Sequence, residues 1–342
     1  LIRNFYLAAV LVLMVCSYGC QPSSQQQATS MDMITVTTSD GQLIKLQQPT
    51  QRIVCLFEAS LDDLYMLGAG KQVIGIPSKI YTAPDLYAAY SILDQRIAKK
   101  QIVTPSHWEA STNIESVLAL QPDLVIVSSG QQDLIELLRQ MHIAVYPVQS
   151  ENLQQTQQEL LDLGKLTGTQ DRARQLNQFI EREIQAIQQQ LKPVQQQLRV
   201  YYAWSGGRIF STSGRNSMPN TVIQLAGAKN IVESSIDQPS VNPERLLIWD
   251  PDIILLWNSD PQILLKRPEL QTLKAVRDKK VFTLSPGFLF NPHTPKILLA
   301  ANQLHHWIYP DPSDAYRATQ DKYRILTMFY GATAANQLMQ LH

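Results

Sequence analysis

The sequence predicts an α/β protein of two lobes, each built on a mostly parallel sheet, joined by one long rigid helix. Three observations lead there: a phrase of helix, turn and strand that occurs twice, matching strand and helix runs upstream of each copy, and a single long amphipathic stretch between them.

The phrase is NIESVLALQPDLVIV (residues 113–127) and NPERLLIWDPDIILL (residues 242–256). In both copies Glu follows Asn by two residues and Pro-Asp begins seven residues after the Glu. The first halves place apolar residues at helical spacing behind an Asn able to cap the helix, and the Glu falls in the first turn, where its charge suits the helix N-terminus. Pro-Asp then breaks the helix, and LVIV or IILL reads as a buried parallel strand. Upstream, RIVCLFEASLDDLYMLGAGKQVIG and RVYYAWSGG with NSMPNTVIQLAGAKNIV both run strand, loop, helix and a Gly/Ala/Lys turn. Sequential strands separated by helices make mostly parallel sheets, so the sequence implies two Rossmann-like lobes of related design.

Between the lobes lies LTGTQDRARQLNQFIEREIQAIQQQLKP. Gly168 ends a preceding helix; Leu176, Ile180, Ile184, Ile187 and Leu191 recur every three or four residues until Pro193 stops the pattern. A helix over about 169–192 spans roughly 30 Å, long enough for a strut between lobes. The expected organisation is an export signal (1–20), a flexible tether (21–33), an N-terminal α/β lobe (34–150), a helical connection (151–195) and a C-terminal α/β lobe (196–342).

With 342 residues, 44% hydrophobic and 17% charged, the chain can bury a full core. Acids and bases balance without long runs of one sign, which argues against a nucleic-acid surface. At the N-terminus, Arg3, the apolar run FYLAAVLVLMVC and then SYGC read as a cleaved export signal and not a membrane span. The segment resembles a lipoprotein signal with Cys20 as the lipidated residue; Ser17 and Tyr18 depart from that pattern and Gly19 fits it. After Cys20 only Cys55 remains, so the mature chain has no intrachain disulfide, and Cys55 is placed in a buried strand as inert packing.

In four separated stretches the chain resembles the ABC-importer substrate-binding proteins that carry ferric siderophores, haem or cobalamin. These are RIVCLFEASLDDLYMLGAGKQVIGI, NIESVLALQPDLVIV, GRNSMPNTVIQLAGAKNI with NPERLLIWDPDIILL, and ILLAANQLHHWIYPD, and the likeness covers roughly residues 35–312. The resemblance implies that one Glu on each lobe, Glu115 and Glu244, docks onto Arg residues of a two-fold symmetric permease that works with an ATPase. The duplication agrees, since equivalent positions on pseudo-symmetric lobes suit a symmetric partner.

Ligands of open α/β lobes bind beyond the carboxyl ends of the strands. In the first lobe 42 residues separate Lys71 from Asn113, against 13 from Lys229 to Asn242, so an aromatic-rich insertion follows a strand there. Tyr81 and Trp108 fall where related proteins set aromatic residues against a large chelate; Tyr87 and Tyr90 read as packing onto the lobe. In the second lobe the candidates are Trp204 at a strand end, Arg208 and Arg215 in the loops that follow, and Phe288 and His293 in PGFLFNPHTP. Arg forks suit carboxylate, hydroxamate or catecholate oxygens, and His293 suits ligation of iron or haem. Trp249 and Trp257 read as core, and the tail from Pro312 as one helix on the second lobe.

The expectation is therefore a monomeric, periplasm-facing binding protein of the cell envelope, held to the membrane only through lipid on Cys20. It would carry no other cofactor, capture a ferric siderophore in the cleft and deliver it to an ABC permease. Cobalamin and haem are rivals within the class; SSG after LVIV and Gln238-Pro239 stand where some cobalamin binders have Trp. A lipid-tethered sensor or scaffold is the reading of another class. Catalysis comes last, because no nucleophile elbow, P-loop, dinucleotide fingerprint or paired-His metal motif is present.

Overall fold

A computed structural model describes residues 33–108, 111–191, 197–204, 206–236, 238–310 and 314–341. The export segment with Cys20, nearly all of the tether, Pro193 and the side chain of Trp108 lie outside the described residues.

The first lobe opens with an antiparallel hairpin, β1 (Ile34–Thr37) and β2 (Leu43–Leu46). Its main sheet contains β3 (Ile53–Cys55), β4 (Val73–Pro77), β5 (Val103–Trp108), β6 (Ser111–Thr112), β7 (Leu124–Ser128) and β8 (Val145–Val148), in the order β6-β5-β4-β3-β7-β8. All its neighbours are parallel except β5 and β6. The helices here are α1 (Glu58–Met66), α2 (Lys79–Thr82), α3 (Pro84–Leu93), α4 (Gln95–Ala98), α5 (Ile114–Ala119) and α6 (Gln132–Gln140). Then come α7 (Leu153–Thr167) and the strut α8 (Gln170–Gln190), separated by Gly168 in the left-handed conformation at φ 77°. The second lobe has β9 (Arg199–Ala203), β10 (Lys229–Asn230), β11 (Ile253–Trp257) and β12 (Val281–Leu284), all parallel in the order β10-β9-β11-β12. Around it lie α9 (Met218–Leu225), α10 (Pro243–Trp249), α11 (Gln262–Leu265), α12 (Lys274–Arg277) and α13 (Ile297–Ile308), followed by α14 (Asp314–Tyr330) and α15 (Ala332–Leu338).

The repeated phrase builds the same joint twice. Asn113 Oδ1 accepts from the Ser116 N–H at 2.8 Å and Asn242 Oδ1 from the Arg245 N–H at 2.8 Å, so each Asn caps its helix. The Asp of each Pro-Asp reaches the neighbouring strand: Asp123 accepts from the Arg52 N–H at 3.0 Å, and Asp252 from the Arg199 N–H at 2.8 Å. The same two arginines return the contact. Arg52 donates to the Gln121 carbonyl at 3.0 Å and Arg199 to the Asp250 carbonyl at 2.7 Å, satisfying carbonyls that the end of each helix leaves free. The strands themselves are buried on both faces, as a parallel sheet between helical layers requires. Cys55, on β3 beside β7, is buried as well, its thiol pushed to high pKa chiefly by desolvation.

The insertion after β4 holds α2, α3 and α4 and returns through β5 and β6, which extend the sheet, because the Ser78 N–H finds the Ser106 carbonyl and β5 registers against β4. One expectation needs correction. The tail is two helices broken at Gly331 (φ 83°), and they reach the first lobe as well as the second. Ile325, Leu326, Phe329, Ala335 and Leu338 give this tail a buried face. Arg172, near the start of α8, donates to the Met66 carbonyl at the end of α1 and to the Met328 carbonyl of α14, so strut, first lobe and tail meet there.

The deepest contact between lobes is ionic. Lys296, just before α13, pairs with Asp62 of α1 at 2.7 Å, and both side chains are 1% exposed. The ammonium lies 3.5 Å from the Phe288 ring centroid, and the Tyr330 hydroxyl donates to Asp62. Removing one partner of a buried pair strands the other charge, so Lys296→Met should destabilise the protein by about 3–5 kcal/mol. Adding Asp62→Asn to that chain should recover part of the loss, measured as urea midpoints of the single and double variants.

Candidate functional site

Loops leaving the carboxyl ends of the strands touch across the cleft. After β3, Glu58 accepts from Asn291 Nδ2 at 3.1 Å. After β4, Asp85 at the start of α3 accepts from the Gly287 N–H at 3.1 Å and from Asn258 Nδ2 at 3.4 Å. After β8, the Ser150 carbonyl lies 3.0 Å from His293 Nδ1. The second-lobe partners all follow β11 or β12, so the switch from strand to loop positions each of them.

His293 is the cleft residue held most closely by both lobes. Its half-buried ring stacks on Trp204 of the second lobe, with centroids 5.7 Å apart and planes at 11°, while Nδ1 meets Ser150 of the first. A carbonyl only accepts, so Nδ1 carries a proton, and in the neutral form of the ring the lone pair is at Nε2. Among the described residues Nε2 has no hydrogen-bond partner. A tether of this kind fixes both tautomer and ring plane, which prepares an imidazole to ligate a metal centre or accept from a ligand hydroxyl.

Several candidates change place. Trp204 is 2% exposed, donates its indole N–H to the Thr212 carbonyl at 3.0 Å and packs edge-on against Tyr202 and Trp257. With His293 over its face, it backs the site instead of fronting it. Tyr81 turns away from the cleft: its hydroxyl donates to the Ile102 carbonyl at 3.0 Å and accepts from the Ile102 N–H at 3.2 Å, next to the start of β5. Phe288, 1% exposed between Tyr90 and Lys296, is core. Arg215 shares a polar groove with Gln197 and Lys229, at the amino ends of β9 and β10 and so at the wrong end of the sheet for the cleft. Arg208 is exposed in the loop after β9, and β5 carries the Trp108 backbone to the carboxyl end of its sheet. Tyr87 and Tyr90 pack, the first donating to the Ala98 carbonyl and the second to the Glu58 carbonyl.

Strand ends in the sequence point to Glu58, at the front of the cleft, and not to Asp63 and Glu159 behind it. Lys79 lies 3.4 Å from Glu58, whose carboxyl is raised by burial and pulled back by Lys79 and Lys296. Deeper, both carboxylate oxygens of Asp63 lack a hydrogen-bond partner among the described residues; burial, then the charges of Glu159 and Asp62, push Asp63 well above the usual carboxylate range. Glu159 accepts from the Ser60 and Ser150 hydroxyls, and burial pushes it up to about 7 against those bonds. Ser150 thus couples the acids to the site, its hydroxyl on Glu159 and its carbonyl on His293. A signal for this was legible in part: the Asp-Asp pair of LDDL sits on a helix otherwise apolar enough to be core.

Glu115 and Glu244 occupy the same helix position in the two lobes. Both are exposed, and neither has an ion-pair partner among the described residues.

The fold and the cleft define a two-lobed solute-binding protein. The chain belongs to the periplasmic binding protein family, whose model matches residues 53–287. Such proteins bind without catalysing, so this chain is not an enzyme, and the family places it outside the cytoplasm. It is 23% identical over 318 residues to an uncharacterized ABC transporter substrate-binding lipoprotein, YvrC, of Bacillus subtilis, covering 89% of this chain and 96% of that one. It is also 23% identical over 264 residues to a vitamin B12-binding protein of Yersinia pseudotuberculosis, covering 75% and 86%. Among solved structures, Helicobacter pylori CeuE with Ni(II) bound superposes with a TM-score of 0.74 at 18% identity, covering 89% of this chain and 99% of that one.

The pH dependence of stability follows from Glu159. Its carboxyl ionises near 4.5 in the unfolded chain and near 7 in the folded one, so between those values the unfolded state holds fewer protons. Its contribution is full below that window and declines as pH rises through it. Glu159→Gln should flatten this part of the melting-temperature profile between about pH 5 and 7, which thermal melts at stepped pH will measure.

Proposed function

We propose that this protein captures a ferric siderophore in the cleft and hands it to an ABC importer. The observation that carries the ligand class is His293, stacked on Trp204 and tethered through Nδ1 to Ser150, with the Nε2 lone pair left for the metal centre or a ligand hydroxyl. Arg208, exposed after β9, adds a guanidinium fork matched to hydroxamate, catecholate or carboxylate oxygens. Haem is accommodated by the same imidazole. Cobalamin is the second reading, favoured by the likeness to a vitamin B12-binding protein over 75% of the chain.

Docking onto the permease runs through Glu115 and Glu244. Equivalent, exposed and without ion-pair partners among the described residues, they suit basic residues on a two-fold symmetric partner. Cys20, at the end of the export segment, is the proposed lipid attachment, and the lipoprotein among the relatives supports it.

Three measurements test this. Titrating the purified protein with ferric hydroxamate and catecholate siderophores, haem and cyanocobalamin should give saturable tryptophan quenching by a ferric siderophore, weakened at least roughly tenfold by His293→Ala. Saturation by cyanocobalamin alone would replace the iron reading with the second one. Glu115→Arg with Glu244→Arg should abolish uptake while leaving that titration unchanged. Cys20→Ala should move the protein from the membrane fraction to the soluble one.

A further inference from the structure

The second lobe has a groove that the solute cleft does not use. It lies between the outer edge of β10 and α10, encloses about 860 Å³, and has Glu244 on its rim. Ile231, Val232 and Trp249 give it an apolar floor and Ile248 stands over it 74% exposed; its charged lining is Arg199, paired with Asp252, Lys229, paired with Glu233, and Arg245 beside Glu244. Sequence reading made Trp249 core; the structure leaves it half-buried, packed on Tyr201 and covered by the Arg245 guanidinium at 5.0 Å from its ring centroid.

The groove exists because the lobes end differently. In the first lobe the sheet continues past β4 through β5 and β6, whereas in the second it stops at the two-residue β10. A smaller hollow of about 470 Å³ lies beside Ile114, on the helix of Glu115. The repeated phrase itself differs at the decisive position. Four residues after Glu244, on the same helix face, stands Ile248; four after Glu115 stands Ala119.

We propose that this groove is a docking pocket for the permease: it receives one apolar side chain from the permease loop whose basic residue meets Glu244. This rests on the docking reading above and adds to it that the two lobes grip unequally, the second more tightly. The occupant follows from charge and shape. A carboxylate without an ion-pair partner among the described residues beside an apolar floor is matched by a basic residue next to an apolar one, and Arg245 does not neutralise Glu244 because it is engaged with Trp249. At 74% exposure Ile248 contributes little to the fold, and it widens the apolar surface offered beside Glu244.

The test uses the full chain and its cognate permease–ATPase complex in lipid nanodiscs. Ile248→Ala, which copies the first lobe, should weaken association roughly tenfold or more, and Ile248→Asp further, with ligand titration and melting temperature unchanged. Leu137→Ala, at the smaller hollow, should stay within roughly twofold. Wild-type association by both Ile248 variants, while the Glu115→Arg, Glu244→Arg chain fails to bind, would overturn the pocket and leave the docking reading standing. Wild-type association by that double-arginine chain would remove both. If sedimentation showed instead that Ile248→Asp dissolves a dimer of this chain, the groove would belong to self-association and the proposal would fall.

Discussion

The buried pair of Lys296 and Asp62 is the constraint around which the rest of the molecule is arranged. Two opposite charges sit almost wholly out of water at the junction of α1, α13 and α14, where desolvation is tolerable only because each has the other, with Tyr330 completing the shell of Asp62. Around them the apolar core runs without interruption from one lobe to the other, through Tyr90, Phe288 and Trp204. Pulling the lobes apart at this point would expose both the core and two charges. Motion that admits a ligand must therefore be a small adjustment about this junction, with the strut α8 pinned beside it by Arg172.

The cleft inherits its chemistry from that junction. Glu58 faces Lys79 and Asn291 at the front, burial behind it raises the carboxyls of Asp63 and Glu159 above the usual carboxylate range, and Ser150 connects the two levels. His293 is thus oriented by a residue whose own hydroxyl is committed to a buried acid. Held by both lobes, the His293 imidazole keeps a fixed place in the cleft, so little rearrangement is left for the proposed ligand to drive.

The outer face follows a different logic, that of duplication followed by divergence in size. The repeated phrase keeps what the joint needs, the capping Asn, the exposed Glu and the Asp that reaches the next strand, and changes what the joint does not need. Ala119 and Ile248 occupy one such free position, so two lobes with the same internal bonds present unequal surfaces to whatever meets them.

Local pattern was enough for much of this. The sequence by itself determined the two lobes, the parallel strands, the break at Gly168 and the paired Glu residues, because capping, helical periodicity and Pro-Asp breaks act over a few residues and are written in order along the chain. Tertiary structure alone decided which side chains face the cleft. Tyr81 folds back onto Ile102, Phe288 is taken by the core, Arg215 lies at the far end of its sheet, and the tail reaches the first lobe on both sides of Gly331. Partners in the folded chain lie beyond the reach of a local pattern, Tyr81 and Ile102 being 21 residues apart, Asn291 and Glu58 233 and Tyr330 and Asp62 268, and no periodicity carries information over such distances. A side chain's class is local, but its direction is set by whatever the fold brings within reach.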